Sequence, residues 1–192
     1  MTPRNITRGG PLLFLFLGAV LNGSSTGTQR TSKIFIANDA DHHQWCAYPT
    51  QSAWQSDVKL FGSGIVATLT SAQGRLSSIE VTTEDEAGDW IVYDHYTVST
   101  DGTLQEDKRK INILPGDRSV EESYLIRDGK AKKQSSTTKS LSTGKSLASS
   151  EDWVPEVSVI ARLKDFPFAS LIRTATDTDS LLRGRECVAS RP

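Results

Sequence analysis

Asp39, Asp41, His42 and His43 sit within the polar run Asn38–Gln44, the one place in this chain where carboxylates and imidazoles crowd together. Mixed oxygen and nitrogen donors are the chemistry of a transition-metal site. The spacing argues against one. Adjacent histidines need a third, distant ligand to converge on one ion, and the only other histidine is His95. A solvated loop is the expectation, with no metal and no cofactor.

Other patterns fail on their surroundings. Gly62, Gly64 and Ala67 match G-x-G-x-x-A, but a dinucleotide site needs a helix after its glycines. Ile65–Thr70 stands there instead, β-branched and alternating as in a strand. Gly23-Ser24-Ser25-Thr26-Gly27 matches G-x-S-x-G without the strand–turn–helix that exposes a nucleophile. There is no P-loop, HExxH or CxxC. Carboxylates abound and a pair of them can hydrolyse a glycosidic bond, but which pair converges is not legible. The reading leans away from an enzyme.

The strongest candidates for binding are Trp90, Tyr93, His95 and Tyr96. They lie on one run, Asp89–Leu104, where period-2 spacing puts Trp90, Val92, Tyr96 and Val98 on one face with Asp94 as the polar exception. Tyr93 and His95 fall on the other face. Large side chains on both faces predict a central strand covered on both sides. Aromatic rings with a polar handle suit an apolar pocket with a wet end. Core packing is the competing use of the same residues.

The elements that must position these residues are strands. Glycines recur at 74, 88, 102, 116, 129 and 144, a step of 13 to 15 residues that fits one strand plus one turn. Asp101-Gly102 reads as a two-residue type I′ turn, and Asp128-Gly129 as another hairpin. Strands are expected at about 57–71, 75–85, 89–100, 103–114, 118–127, 130–142 and 155–164. The break in alternation at Gly62–Gly64 suggests a bulge. Glu106–Lys110 reads as a solvated stretch of strand. Residues 130–150, rich in Lys, Ser and Thr, read as a polar edge strand or a mobile segment. Lys33–Ala37 suggests a short strand, and Trp45, Tyr48 and Trp54 a cover over one end of the sheet. Asp165, Pro167, Phe168, Leu171 and Ile172 predict a short capped helix, with Phe166 packing beside Trp153. The fold class is mainly β: an antiparallel up-and-down meander of about seven long strands, a curved sheet or partial barrel with a short C-terminal helix.

The N-terminus pairs Arg4 and Arg8 with an eleven-residue apolar run, Pro11–Leu21, and a small polar exit. This is the pattern of a secretory signal over 1–25, too short for a comfortable membrane span. It leaves one β-rich domain over 26–192, with no integral span once the signal is removed. The whole chain has 22 basic and 23 acidic residues, and its first 27 residues hold two arginines and no acid. The remainder is therefore at −3, which gives no reason to expect nucleic acid or an anionic membrane surface as a partner. Cys46 and Cys187, an even pair in an exported chain, are expected to form a disulfide. The location expected is extracellular or periplasmic. The function expected is a non-catalytic domain that binds a small apolar ligand or an envelope partner. The alternatives are a structural or assembly module of the envelope and an exported hydrolase with unlocated carboxylates.

Overall fold

The computed structural model describes residues 31–38, 44–48, 50–57, 65–72, 75–148, 153–172 and 186–189. They form one curved, open, antiparallel sheet of nine strands. In chain order these are β1 (Thr31–Asn38), β2 (Gln44–Tyr48), β3 (Ile65–Ala72), β4 (Arg75–Glu84), β5 (Trp90–Val98), β6 (Leu104–Ile113), β7 (Arg118–Arg127), β8 (Lys130–Ser140) and β9 (Glu186–Ala189). A two-turn helix, α1 (Gln51–Asp57), comes after β2. The spatial order is β8-β7-β6-β5-β4-β3-β1-β2-β9. β3 to β8 are the expected meander, each strand paired with the next. The glycine rhythm is its turns: Gly88, Gly102, Gly116 and Gly129 fall between successive strands.

The turn chemistry differs from expectation at one hairpin. At Asp101-Gly102 only Gly102 takes a positive φ, of 84°. Its N–H bonds the Ser99 carbonyl at 3.0 Å, so a type I turn is followed by one left-handed glycine, a three-residue loop. The Asp101 carboxylate explains the choice. It accepts from the Thr103 amide at 2.9 Å and hydroxyl at 2.7 Å, and from the Ser99 hydroxyl. The two-residue type I′ turn occurs at Asp128-Gly129, with φ of 52° and 68°.

β5 is buried on one face only. Val92, Asp94, Tyr96 and Val98 are buried, while Tyr93 is 40% exposed. The outer face of β5 meets solvent, correcting the expectation that this strand is covered on both faces.

The inner face is covered by residues 153–172, here called the strap. Residues 155–164 were expected as a last strand, but the segment makes no ladder. It crosses a sheet face rather than extending an edge, so its polar contacts with the sheet come from side chains below. The expected helix is replaced by two single 3₁₀ turns, Leu163–Asp165 and Ala169–Leu171. Pro167 disfavours helical backbone at the residue before it, and Phe166 is extended with ψ of 137°. Asp165 bonds Arg162 at 2.6 Å instead of capping a helix. The apolar payload is nonetheless as expected: Phe168 and Leu171 are buried and Ile172 packs beside them. Phe166 packs edge-on against Tyr96 at 5.2 Å, whereas Trp153 is 62% exposed.

The N-terminal side of the sheet is also fuller than expected. β2, α1 and β9 were not anticipated as elements. Trp45 is buried against Phe168 at 5.3 Å between rings, and Trp54 on α1 stacks on Phe35 at 5.5 Å. Cys46 and Cys187 are direct cross-strand neighbours of β2 and β9 and form the expected disulfide. Helix Gln51–Asp57 replaces the expected strand start at 57. The segment 1–25, the Asp39–His43 cluster and the expected bulge at Gly62–Gly64 lie outside the described residues. Among those described, register shifts fall at Thr70/Ser71, Thr97/Val98 and Ser123/Tyr124.

Candidate functional site: a buried polar patch and the groove beside it

On β5, β6 and β7, antiparallel register places inner-face residues in rows. Val92, Ile111 and Val120 make one row. Asp94, Arg109 and Glu122 make the next, and Tyr96, Asp107 and Tyr124 the one after. Val98, Leu104 and Ile126 lie beyond as apolar neighbours. Two polar rows therefore lie between two apolar clusters, beneath the strap.

The charged row is closely paired. Arg109 donates from Nε to Asp94 Oδ1 at 2.6 Å and from Nη2 to Oδ2 at 3.1 Å. Both side chains are almost fully buried. A two-pronged guanidinium–carboxylate pair suits this setting, since each unpaired charge would be costly to bury. The third nitrogen, Nη1, donates to the Val157 carbonyl of the strap. Glu122 accepts from Lys133 of β8 and from the Tyr124 hydroxyl at 2.5 Å. Burial works against ionising Glu122, but those two hydrogen bonds outweigh it and hold its carboxyl below the usual range.

The second row holds the unusual group. Asp107 is fully buried; as an ionised group it would take no hydrogen bond from any other side chain, whereas the hydrogen bond it shares with Asp94 favours its protonated form. Burial first, and then the charge on Asp94, push its carboxyl up to about 8. Burial raises Asp94 too, but there Arg109 opposes it. The proton of the pair therefore belongs to Asp107, and Asp94 is the ionised partner of Arg109. Beside it, the Tyr96 hydroxyl accepts the Ile160 amide of the strap at 3.2 Å. Burial and the two aspartates hold that phenol protonated well above its ordinary range. The patch thus fastens the strap at two points, Arg109 to Val157 and Tyr96 to Ile160. Arg118 adds a third contact, to the Trp153 carbonyl at 3.2 Å.

Next to the patch, the strap and the ends of β6 and β7 leave an open groove of about 850 Å³. Leu104, Ile126 and Leu163 line its apolar part, and Tyr124 joins it to the buried rows. Arg162 crosses its rim, with its stem over Gly129: a Cβ there would lie 3.0 Å from Arg162 Cδ.

The four residues singled out from sequence are not brought together. Tyr96 is core and strap anchor. Trp90 packs on the Val92–Ile111 cluster and borders a smaller hollow of about 360 Å³ with Trp153. Tyr93 and His95 point to the outer face, where His95 Nδ1 lies 3.6 Å from Glu80. None of the four lines the groove. Asp107, Arg109, Glu122 and Tyr124 were not singled out. Their signal was parity: Asp107 and Arg109 share odd positions with Ile111 and Ile113, which are buried. Among the described residues no helix is long and apolar enough to cross a membrane, and no cluster of acids, histidines or cysteines is arranged to hold a metal. No family model, no curated protein and no solved structure matches this chain.

Proposed function

We propose that this is an exported, non-catalytic β-domain that binds a small amphipathic molecule in the groove between the strap and β6–β7. The groove itself carries the reading: it is large enough for a compact organic ligand, with an apolar floor and a polar wall. It refines the ligand expected from sequence. The concave face is packed by Phe166, Phe168 and Leu171, which favours a ligand with both polar and apolar groups in the groove over a wholly apolar guest on that face. The Cys46–Cys187 disulfide supports an oxidising compartment. The buried acids support scaffold use rather than hydrolysis, since Asp94 and Glu122 are occupied by Arg109, Lys133 and Tyr124.

A second reading, an assembly module, draws on one observation. β8 ends the sheet, and residues 130–137 are all exposed. Its lysines are the usual protection of such an edge, so the groove is the better-supported site.

The test uses two fluorescent probes, anionic 1-anilinonaphthalene-8-sulfonate and neutral N-phenyl-1-naphthylamine, on folded protein. Saturable binding of either, with amide shifts clustered at Leu104, Tyr124, Ile126 and Leu163 and abolished by Leu163→Asp, is the expected result. Absence of saturable binding, or shifts confined to other surfaces, would overturn the reading.

A further inference from the structure

The polar patch does more than fill space. A buried carboxyl whose side-chain partner is another acid is an expensive thing to keep ionised. Asp107 lies between Tyr96 and Tyr124 as the cross-strand neighbour of both. It is one residue pair away from Arg109, whose guanidinium is divided between Asp94 and the strap.

We infer that Asp107 is a proton-operated latch for the strap: neutral, it leaves Arg109 clamped to Val157, and on ionisation it draws that guanidinium away and loosens the strap. The groups that face it account for the sign. β5 presents Asp94 and Tyr96, β6 presents Arg109, and β7 presents Glu122 and Tyr124. β8 presents Lys133, which is committed to Glu122. The strap's Arg162 lines the groove beside Tyr124 and is bonded to Asp165; the strap's hydrogen bonds to the patch are through the Val157 carbonyl and the Ile160 amide. With Asp107 neutral, the charges on Asp94 and Glu122 are matched by Arg109 and Lys133. Ionising Asp107 adds a third negative charge with no cation to spare. Two responses relieve it. Arg109 can swing its Nη1 donor from Val157 to Asp107, and the patch can admit water. Either loosens the strap, because its sheet contacts here are side-chain hydrogen bonds and apolar packing, with no ladder.

The strap forms one wall of the groove through Ala161, Arg162 and Leu163. Loosening it would open the groove as pH rises. That consequence rests on the groove reading above; the latch itself is measured with no ligand present, so the two fail separately.

The experiment is amide hydrogen exchange on the intact protein from pH 6 to pH 8, corrected for intrinsic exchange. In the closed state Asp107 holds its proton to about pH 8, whereas water restores an ordinary carboxyl in the open state. Opening is then favoured about tenfold per pH unit across this window. The protection of the Ile160 amide should fall accordingly, ahead of ladder amides such as Val120. Asp107→Asn, neutral at every pH, should hold protection level; Asp107→Leu repeats the test if the amide variant does not fold. Wild-type protection that stays constant from pH 6 to 8 would overturn the latch. So would the same fall in a folded neutral variant.

Discussion

Asp94 and Arg109 oppose each other across β5 and β6, joined by two hydrogen bonds of 2.6 and 3.1 Å, and the same guanidinium holds the Val157 carbonyl of the strap. One side chain therefore satisfies a buried charge and fastens the cover above it. Arg109→Met leaves Asp94 buried and unpaired and should cost about 3–5 kcal/mol in urea unfolding. Asp94→Leu with Arg109→Met should recover most of that global stability. Strap protection should not recover, because the Val157 carbonyl stays without its donor.

Tyr96→Phe keeps the ring against Phe166 and removes the acceptor for the Ile160 amide. A loss of about 1–2 kcal/mol is expected, with faster exchange in the strap than in β5. Equal effects on both would show that Tyr96 acts only through the core.

Much of this fold was legible from sequence, and its limits have physical causes. Alternation and turn glycines are local signals, and they placed β4 to β8 within a few residues. The β2–β9 pairing joins residues 141 apart and was visible only as the pairing of two cysteines. The strap alternates like a strand because it buries one side, yet nothing in that pattern says whether a segment joins an edge or lies across a face. The polar patch was hidden by composition. Glu106–Lys110 looks solvated as a run, whereas parity splits it into exposed Lys108 and Lys110 and buried Asp107 and Arg109. Asp94 stood out as a polar residue on an apolar face, but its partner lay fifteen residues on, across a hairpin.

Gly129 and Gly144 share a φ of 68°, but only Gly129 lies under another side chain. Ala at either position meets the left-handed penalty of about 1 kcal/mol. Gly129→Ala should cost more, since its methyl would press on Arg162, while nothing lies within 4 Å of Gly144. Thermal unfolding of the two variants side by side checks the order.

Cleavage of the Cys46–Cys187 bridge should cost about 2–5 kcal/mol and release β9 first, because β9 is a four-residue strand that, among the described residues, ends the sheet and pairs with β2 alone. Cys46→Ala with Cys187→Ala, followed by urea unfolding and hydrogen exchange, measures both. Unchanged protection in β9 would contradict this role.

Stability should fall as pH rises from about 4 to about 8. The unfolded chain ionises Asp107 near its ordinary value of 3.8, whereas the folded protein keeps the proton to about 8. Folding takes up a proton in that window, so stability is fullest below it and declines by up to about 1.4 kcal/mol per pH unit within it. Asp107→Asn should flatten the profile and be the more stable protein at pH 8.

The carboxyl ¹³C shift of Asp107, followed by NMR across pH 3 to 10, tests most directly the claim that a neutral, buried acid sits beneath the strap. A midpoint near 8 is predicted, accompanied by shifts at Ile160 and Val157. A midpoint near 4 with no response in the strap would contradict it.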